Sequence, residues 1–415
     1  MPKIKHYCYL AIARSALYFV YILRVVNHAF RRLPQNRKSI VFYLENESMY
    51  RQDDGMGRYV YLLVNRFSRA GYNVYFYKNI TSFDAYLRLG KYGRFLLDEP
   101  RLKFISKIPN SLSIGETLMA FDQYDKLLFS YKWKKLMFVN ICKPTSCQIG
   151  ELVWIPYFFH PIANWKKMSK KINHLRKNKH KLRILFAGNS AAKGYSVKKL
   201  RDWYNKITRH EAIMALMELK DVVKNVIDSA AFCKAMDKGN YVNECRLLRT
   251  NIATKLDMKD YWKIISKSDF FLALPGTDYP MCHNIMESMS LGTIPIMDYS
   301  DWFFPALEHG KNAIIYEDEK DLQNKIREVL SFDIQTIEKM RHNVIAYNDQ
   351  YLSNRSFIEN VERVKDKVMT LMLLPRLVCT AKENEEGRQL IEKINKKIKG
   401  RLASDNNTTL EKKNV

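Results

Sequence analysis

The sequence is short of acid, of glycine and proline, and of long apolar runs. Its 415 residues hold 43 Asp and Glu against 69 Lys and Arg, a formal net charge of +26. With 15 Gly, 12 Pro and no short repeat, collagen-like and low-complexity chains are excluded. No uninterrupted apolar run approaches the ~20 residues that cross a bilayer as a helix, which excludes a polytopic membrane protein. The seven Cys (positions 8, 142, 147, 233, 245, 282 and 379) are scattered, and no two pairs have zinc-ligand spacing. Free thiols in a reducing compartment are therefore expected, rather than a disulfide framework or a structural zinc. No Asp-x-Asp triplet and no His/Asp/Glu cluster suggests a bound metal, and none is expected. A G-x-S-x-G elbow, a Walker loop and a G-x-G-x-x-G fingerprint after the first strand are missing too. Hydrolase, ATPase and dehydrogenase readings lose their main supports.

What is present is core-forming material. A hydrophobic content of 47%, with 13% aromatic residues, is enough for two or three domains at roughly 100–200 residues each. The positive charge calls for an anionic partner: nucleic acid, anionic lipid or a phosphorylated substrate. No zinc-finger spacing, RNA-recognition signature or helix-turn-helix accompanies it, so nucleic acid is not the expected partner. The charge gathers instead at the two ends and in a block at 166–183, KKMSKKINHLRKNKHKLR.

At the N-terminus, a helix at 100° per residue puts Ile12, Phe19, Ile22, Leu23, Val26 and Phe30 on one face. Arg14, Arg24, His28, Arg31 and Arg32 fall opposite. Such a basic amphipathic helix suits a membrane interface, with the arginines among lipid phosphates; packing on the protein's own body is the alternative. Near the C-terminus, Ile391, Ile394, Ile398 and Leu402 recur at helical spacing among Lys and Arg, which fits a second membrane contact or a solvated helix.

Between the ends, strands and helices alternate twice. SIVFYLE (39–45), VYFY, KLLFS (126–130), KLMFVN (135–140) and ELVWIPYFF (151–159) are expected strands, with a helix over 57–70 whose Val60, Leu63, Val64 and Phe67 share a face. After the basic block come LRILFAG (182–188), VVKNVID, ECRLLRT, DFFLALPG (269–276), TIPIMD (293–298) and NAIIYE (312–317), with helical sequence between them and to the end. This alternation predicts two parallel sheets covered by helices, with ligands at the carboxyl ends of the strands.

The most informative stretch is SDFFLALPGTDYPMCHNIMESMSLGTIPIM. A buried strand ends at Pro275-Gly276, and a loop delivers a helix with His283 and Asn284 in its first turn. The unpaired N–H groups there suit a diphosphate. Glu287 lies one turn on, placed to accept hydrogen bonds from ribose hydroxyls. This stretch resembles the donor-binding unit of GT-B glycosyltransferases, of the group 1 and exostosin-like families. It departs from them at Tyr279, where group 1 members usually carry Glu, and at His283, where exostosin-like members tend to have Arg. Other segments extend the likeness over most of 39–345. DGMGRYVYLLVNRFSRAGYNVYFY is similar to the N-terminal loop and first helix of group 1 enzymes, with Gly55 and Gly57 allowing close backbone approach. ILFAGNSAAKG is similar to the element that holds donor phosphates, with Lys193 approximately kept and Asn189 in place of Arg. Phosphate clamping would then shift to Arg183, Lys198 or Lys199. Asp53-Asp54-Gly55 and His160-Pro161 resemble motifs of transferases that use CMP-sialic acid, where the acid is the base and the His touches phosphate. For Asp54 the alternative is a cap on the helix that follows.

The expected protein is thus an α/β chain with two Rossmann-like domains facing a cleft (GT-B), a basic amphipathic N-terminal helix and a helical C-terminal tail. Its expected divisions are an interfacial helix at 1–35, an acceptor domain at 36–165, a linker at 166–181, a donor domain at 182–360 and a tail at 361–415. The resemblance implies a metal-independent transferase with no cofactor beyond its UDP-, GDP- or CMP-linked sugar. Asp54 is the candidate base. Gly55, Gly57, His160, Asn189, Lys193, Pro275, Gly276, His283, Asn284 and Glu287 would contact the donor. The basic ends suggest a glycan or glycolipid acceptor of the lipopolysaccharide or capsule type, and a cytoplasmic protein peripheral to the inner face of a membrane. An inactive GT-B scaffold or sugar-binding module, and a basic nucleic-acid-binding protein, are the alternatives.

Overall fold

The computed structural model describes residues 15, 18–28, 30–44, 56–78, 89–124, 131–141, 147–252, 256–374 and 384–397. The chain forms two α/β units: Met1–Ile155 with Ile358–Leu373 and Cys379–Val415, and Pro156–Phe357 with Leu374–Val378. Each is built on a wholly parallel sheet, as the GT-B resemblance implies.

The first unit has strands β1 (Ser39–Tyr43), β2 (Asn73–Tyr77), β3 (Leu102–Ile105), β4 (Thr117–Phe121), β5 (Lys135–Asn140) and β6 (Glu151–Trp154). The last strand of the chain, β13 (Val368–Met372), inserts between β5 and β6, giving the order β3-β2-β1-β4-β5-β13-β6. The β1 and β4 strands are buried along their whole length, as strands covered on both faces must be. β3, β4 and the inserted β13 were not among the expected strands, and KLLFS (126–130) lies outside the described residues. ELVWIPYFF is a strand only as far as Trp154.

Insertion of β13 corrects the expectation of a separate helical tail from 361. VMTLM is apolar at four of its five positions and pairs on both sides. Gly150 permits the approach: a Cβ there would lie 2.0 Å from the Val368 carbonyl oxygen. Thr370 Oγ1 accepts from the Ile149 N–H (2.6 Å) and donates to its carbonyl (2.8 Å). Glu362, just upstream, takes Lys38 at 2.6 Å and the Tyr72 hydroxyl at 2.7 Å.

Helices of this unit include α1 (18–28), α2 (Met56–Arg69) and a C-terminal helix over 384–397. The last docks rather than standing free: Ile391 and Ile394 enter the same apolar cluster as Val41, Phe121 and Phe138. The α1 helix also lies on the unit, and it does so through its polar face. Tyr21 and His28 are buried, and His28 Nε2 accepts the Phe104 N–H at 2.9 Å. Arg24 pairs with Asp98 at 3.2 Å. Arg31 donates to the carbonyls of Leu97 (2.9 Å), Leu102 (3.3 Å) and Glu99. The polar face is the inner one because backbone carbonyls line the surface beneath it, and a guanidinium can donate to them where an apolar side chain cannot.

The second unit has β7 (Leu182–Gly188), β8 (Val223–Asn225), β9 (Val242–Arg249), β10 (Ser268–Leu272), β11 (Ile294–Met297) and β12 (Ile314–Ile315) in the order β12-β11-β10-β7-β9-β8. Its helices include α3 (Pro161–Trp165), α4 (Arg209–Met217), α5 (Ser229–Lys238), α6 (Met258–Ile265), α7 (His283–Ser290), α8 (Glu319–Leu330) and α9 (Ile334–Tyr347). All six strands fall on expected segments; β7 matches in full, β8, β11 and β12 are shorter, and β9 and β10 start earlier than expected.

The boundary between units falls at 155/156, ahead of the expected donor-domain start at 182. The basic block therefore belongs to this unit instead of linking two. Arg176 explains the difference: it donates to the Ser290 carbonyl at 2.8 Å and grips Asp349 with both terminal nitrogens, at 2.8 and 2.6 Å. Arg341 in turn donates to the Arg176 carbonyl at 2.8 Å. Asp269, in β10, organises the amino-terminal end of this sheet through His180, Tyr241 and Arg183.

Candidate functional site

In the second sheet, β7 and β10 are neighbours, and the chain builds outward from them in opposite directions. A crevice opens at the carboxyl ends of the strands at such a switch point. Three segments meet there: the Asn189 loop after β7, the Ala273–Gly276 run after β10, and the start of α4.

The residue that joins them is Arg209, which the sequence pattern did not single out. It is the first residue of α4, set there by a Thr208/Glu211 capping box. The side chain is buried, and its guanidinium donates to Pro275 O (2.9 Å), Asn189 O (3.0 Å) and Leu274 O (3.2 Å). No salt bridge to a described carboxylate neutralises it, and the Tyr195 ring covers it at 4.2 Å. Three carbonyls occupy three of its five N–H donors, so two remain for a ligand. The T-x-x-E pattern at 208–211 was the available signal: it fixes the helix start, and hence where residue 209 points.

Close by is the first turn of α7. Helices α4, α5, α6, α8 and α9 are all capped by a Thr or Asp side chain; α7 has Cys282 at its N-cap position and no side-chain cap bond. The Cys282 thiol has two acceptors in reach of its single hydrogen, Asn284 Oδ1 and the Leu274 carbonyl at 3.5 Å, and burial pushes its pKa up. Gly276 lets the loop fold back on itself: a Cβ there would come within 2.6 Å of Tyr279 O and 3.0 Å of Met281 O.

His160-Pro161 also belongs to this unit. His160 caps α3, its Nδ1 accepting the Ile162 N–H at 3.2 Å. Its own backbone N–H donates to Glu287 Oε1 at 2.8 Å. The two imidazoles of His160 and His283 lie edge to face, 5.5 Å between centroids. Since the Phe158 carbonyl accepts at 2.8 Å, His283 Nδ1 carries the hydrogen, and in the neutral ring Nε2 is the acceptor nitrogen.

Glu287 is 2% exposed, and burial, partly opposed by the His160 N–H, raises its pKa to about 8. At neutral pH it keeps its proton and can donate as well as accept. A second buried acid, Asp298, follows β11. Burial raises its pKa to about 7 against the pull of Lys206 and of nearby backbone N–H groups.

The structure thus gathers Asn189, Pro275, Gly276, His283, Asn284, Glu287 and His160 in the second unit. Asn189 is exposed, and its side chain accepts the Ala191 N–H at 3.0 Å. Lys193 is exposed on the short helix Ala192–Tyr195. Arg183 is spent elsewhere, bound to the Val329 (3.1 Å) and Phe332 (2.9 Å) carbonyls at the other end of the sheet. It is not the replacement clamp, because its position near the start of β7 points it away from the strand ends. Lys199 lies over the Trp203 ring at 4.6 Å. Gly57 is buried in the first turn of α2, in the first unit. Asp53, Asp54 and Gly55 lie outside the described residues. Among the described residues no group of three or more His, Cys, Asp or Glu could hold a metal ion, and Cys147, Cys233, Cys245 and Cys282 are free thiols.

No family model matches the chain, and no curated protein does. Among solved structures it is similar to HepE of Anabaena in complex with UDP, at 12% identity, covering 78% of this chain and 98% of that one, TM-score 0.41. It is also similar to a glycosyltransferase from Rickettsia africae, at 11% identity over 80% and 99% of the two chains, TM-score 0.43. A sucrose-phosphate synthase from Thermosynechococcus elongatus matches at 10% identity over 79% and 98%, TM-score 0.40.

Proposed function

We propose that the chain is a GT-B glycosyltransferase that moves a sugar from a nucleotide-activated donor to a hydroxyl of a glycan or lipid-linked acceptor. The observation that carries this reading is Arg209. A buried guanidinium without a carboxylate partner among the described residues, held across the switch point with two N–H groups to spare, is suited to a phosphate. The α7 first turn adds backbone N–H groups and the positive end of the helix dipole. Together they would stabilise the charge that develops on the departing nucleotide as the glycosidic bond breaks, without a metal.

Glu287 and Asn284 would meet the nucleoside sugar, and His283 Nε2 would accept a hydrogen bond from donor or acceptor. We assign the acceptor to the first unit and name Asp54 as the base for an inverting reaction. A CMP-linked donor is the second reading, favoured by the place of His160 beside His283 in the second unit.

The test is a thermal-shift panel of UDP, GDP, CMP and their sugars, with and without EDTA. A ligand at 100 times its Kd stabilises by about 2.7 kcal/mol, an easily measured rise in melting temperature. One nucleotide class is expected to raise the melting temperature, equally with EDTA. A flat panel refutes the donor site, and a shift abolished by EDTA refutes metal independence.

A further inference from the structure

The α1 helix presents the wrong face to water. Phe19 is 63% exposed, Leu23 54%, Val26 48% and Phe30 82%. Spaced at i, i+4, i+7 and i+11, they form one stripe along the helix, with Ile22 beside it. An amphipathic helix on a soluble domain buries such a stripe; here His28, Arg24 and Arg31 do the docking. A contiguous exposed stripe of large side chains marks a binding surface.

We propose that this stripe inserts into the headgroup–acyl boundary of an anionic phospholipid bilayer. The charge around it selects this occupant. Residues 1–38 contain eight Lys and Arg and no Asp or Glu, and Arg32 and Arg37 are exposed at the end of the stripe. Anionic headgroups complement that rim, whereas a second copy of the chain would set the same basic rim against itself. The geometry suits a helix lying flat: at ~1.5 Å per residue the stripe is roughly 17 Å long, against ~30 Å for a hydrocarbon core. No helix of the described residues is long and apolar enough to cross a membrane. Of the arginines expected to reach lipid, Arg24 and Arg31 instead fix the helix to the protein, leaving the apolar face outward. This inference stands on the first unit alone and goes beyond the glycosyltransferase reading, so either can fail without the other.

The experiment is flotation of the full chain with vesicles of phosphatidylcholine alone or with about one-third phosphatidylglycerol. The wild type is expected to float with the anionic vesicles. The triple variant Phe19→Ser, Leu23→Ser, Phe30→Ser should lose roughly tenfold or more in partitioning, with its melting temperature unchanged because these side chains face outward. Arg32→Glu with Arg37→Glu should lose the preference for anionic lipid. In a Leu23→Trp variant, vesicles with brominated acyl chains should quench the added fluorescence, a readout independent of the serine variants. Flotation unaffected by the triple variant, no quenching at position 23, or a lipid-free dimer that the triple variant converts to monomer would each overturn the proposal.

Discussion

Glu287→Gln should make the protein more stable, and increasingly so as pH rises. The carboxyl of Glu287 is buried, with a folded pKa of about 8 against 4.5 for an ordinary glutamate. Between those values the folded state holds a proton that the unfolded state has released. Stability therefore falls as pH climbs from 4.5, and the loss is complete only above the folded pKa. At about 1.4 kcal/mol per unit, the full span is on the order of 5 kcal/mol. The glutamine side chain is isosteric, keeps an oxygen for the His160 N–H at 2.8 Å, and carries no charge to desolvate. Its advantage over wild type should grow by about 2–3 kcal/mol between about pH 6 and pH 9. At roughly 2–4 °C per kcal/mol for a unit of this size, the gap in melting temperature widens by about 5–10 °C. Scanning calorimetry of both proteins across that range measures it. A gap that stays constant, or narrows, would refute the assignment of a protonated Glu287 at neutral pH.

Asp298→Asn should flatten the slope at lower pH, between about 4 and 7, because the Asp298 pKa is raised to about 7 by the same burial; melting curves in that window decide it. Arg209→Lys keeps the charge but not the fork. Losing two of three bonds to carbonyls should cost about 2–4 kcal/mol and abolish nucleotide-dependent stabilisation. An undiminished nucleotide shift in this variant would remove Arg209 from the site. Gly276→Ala forces a Cβ to within 2.6 Å of a backbone oxygen and should cost roughly 1–3 kcal/mol with loss of nucleotide affinity. Gly194→Ala, with nothing within 4 Å, should leave both near wild type and serves as its control.

The second unit was the more legible half, and the reason is local. β7, β10, β11 and β12 carry mostly apolar runs, and every strand of this sheet finds its partners within residues 182–315, with none returned from the far end of the chain. In the first unit β13 is supplied from more than 200 residues downstream, and nothing within VMTLM says that its partners are at 135–140 and 151–154. The trace left in the sequence is Gly150, whose missing side chain admits the returning strand, and a glycine alone does not name what approaches it. The candidate site divides in the same way. His283, Asn284 and Glu287 were readable because they fall on one helix turn, after a strand and before another. Arg209 was not, since its role depends on carbonyls 20 and about 65 residues away. For the N-terminal helix, periodicity separated an apolar face from a basic one but carried no sign of which would turn inward. That choice was made by the carbonyls of Leu97, Glu99 and Leu102, which Arg31 satisfies. The spacing of apolar and basic residues sets the two faces of a helix apart, and hydrogen-bond demand from the surface beneath decides which of them docks.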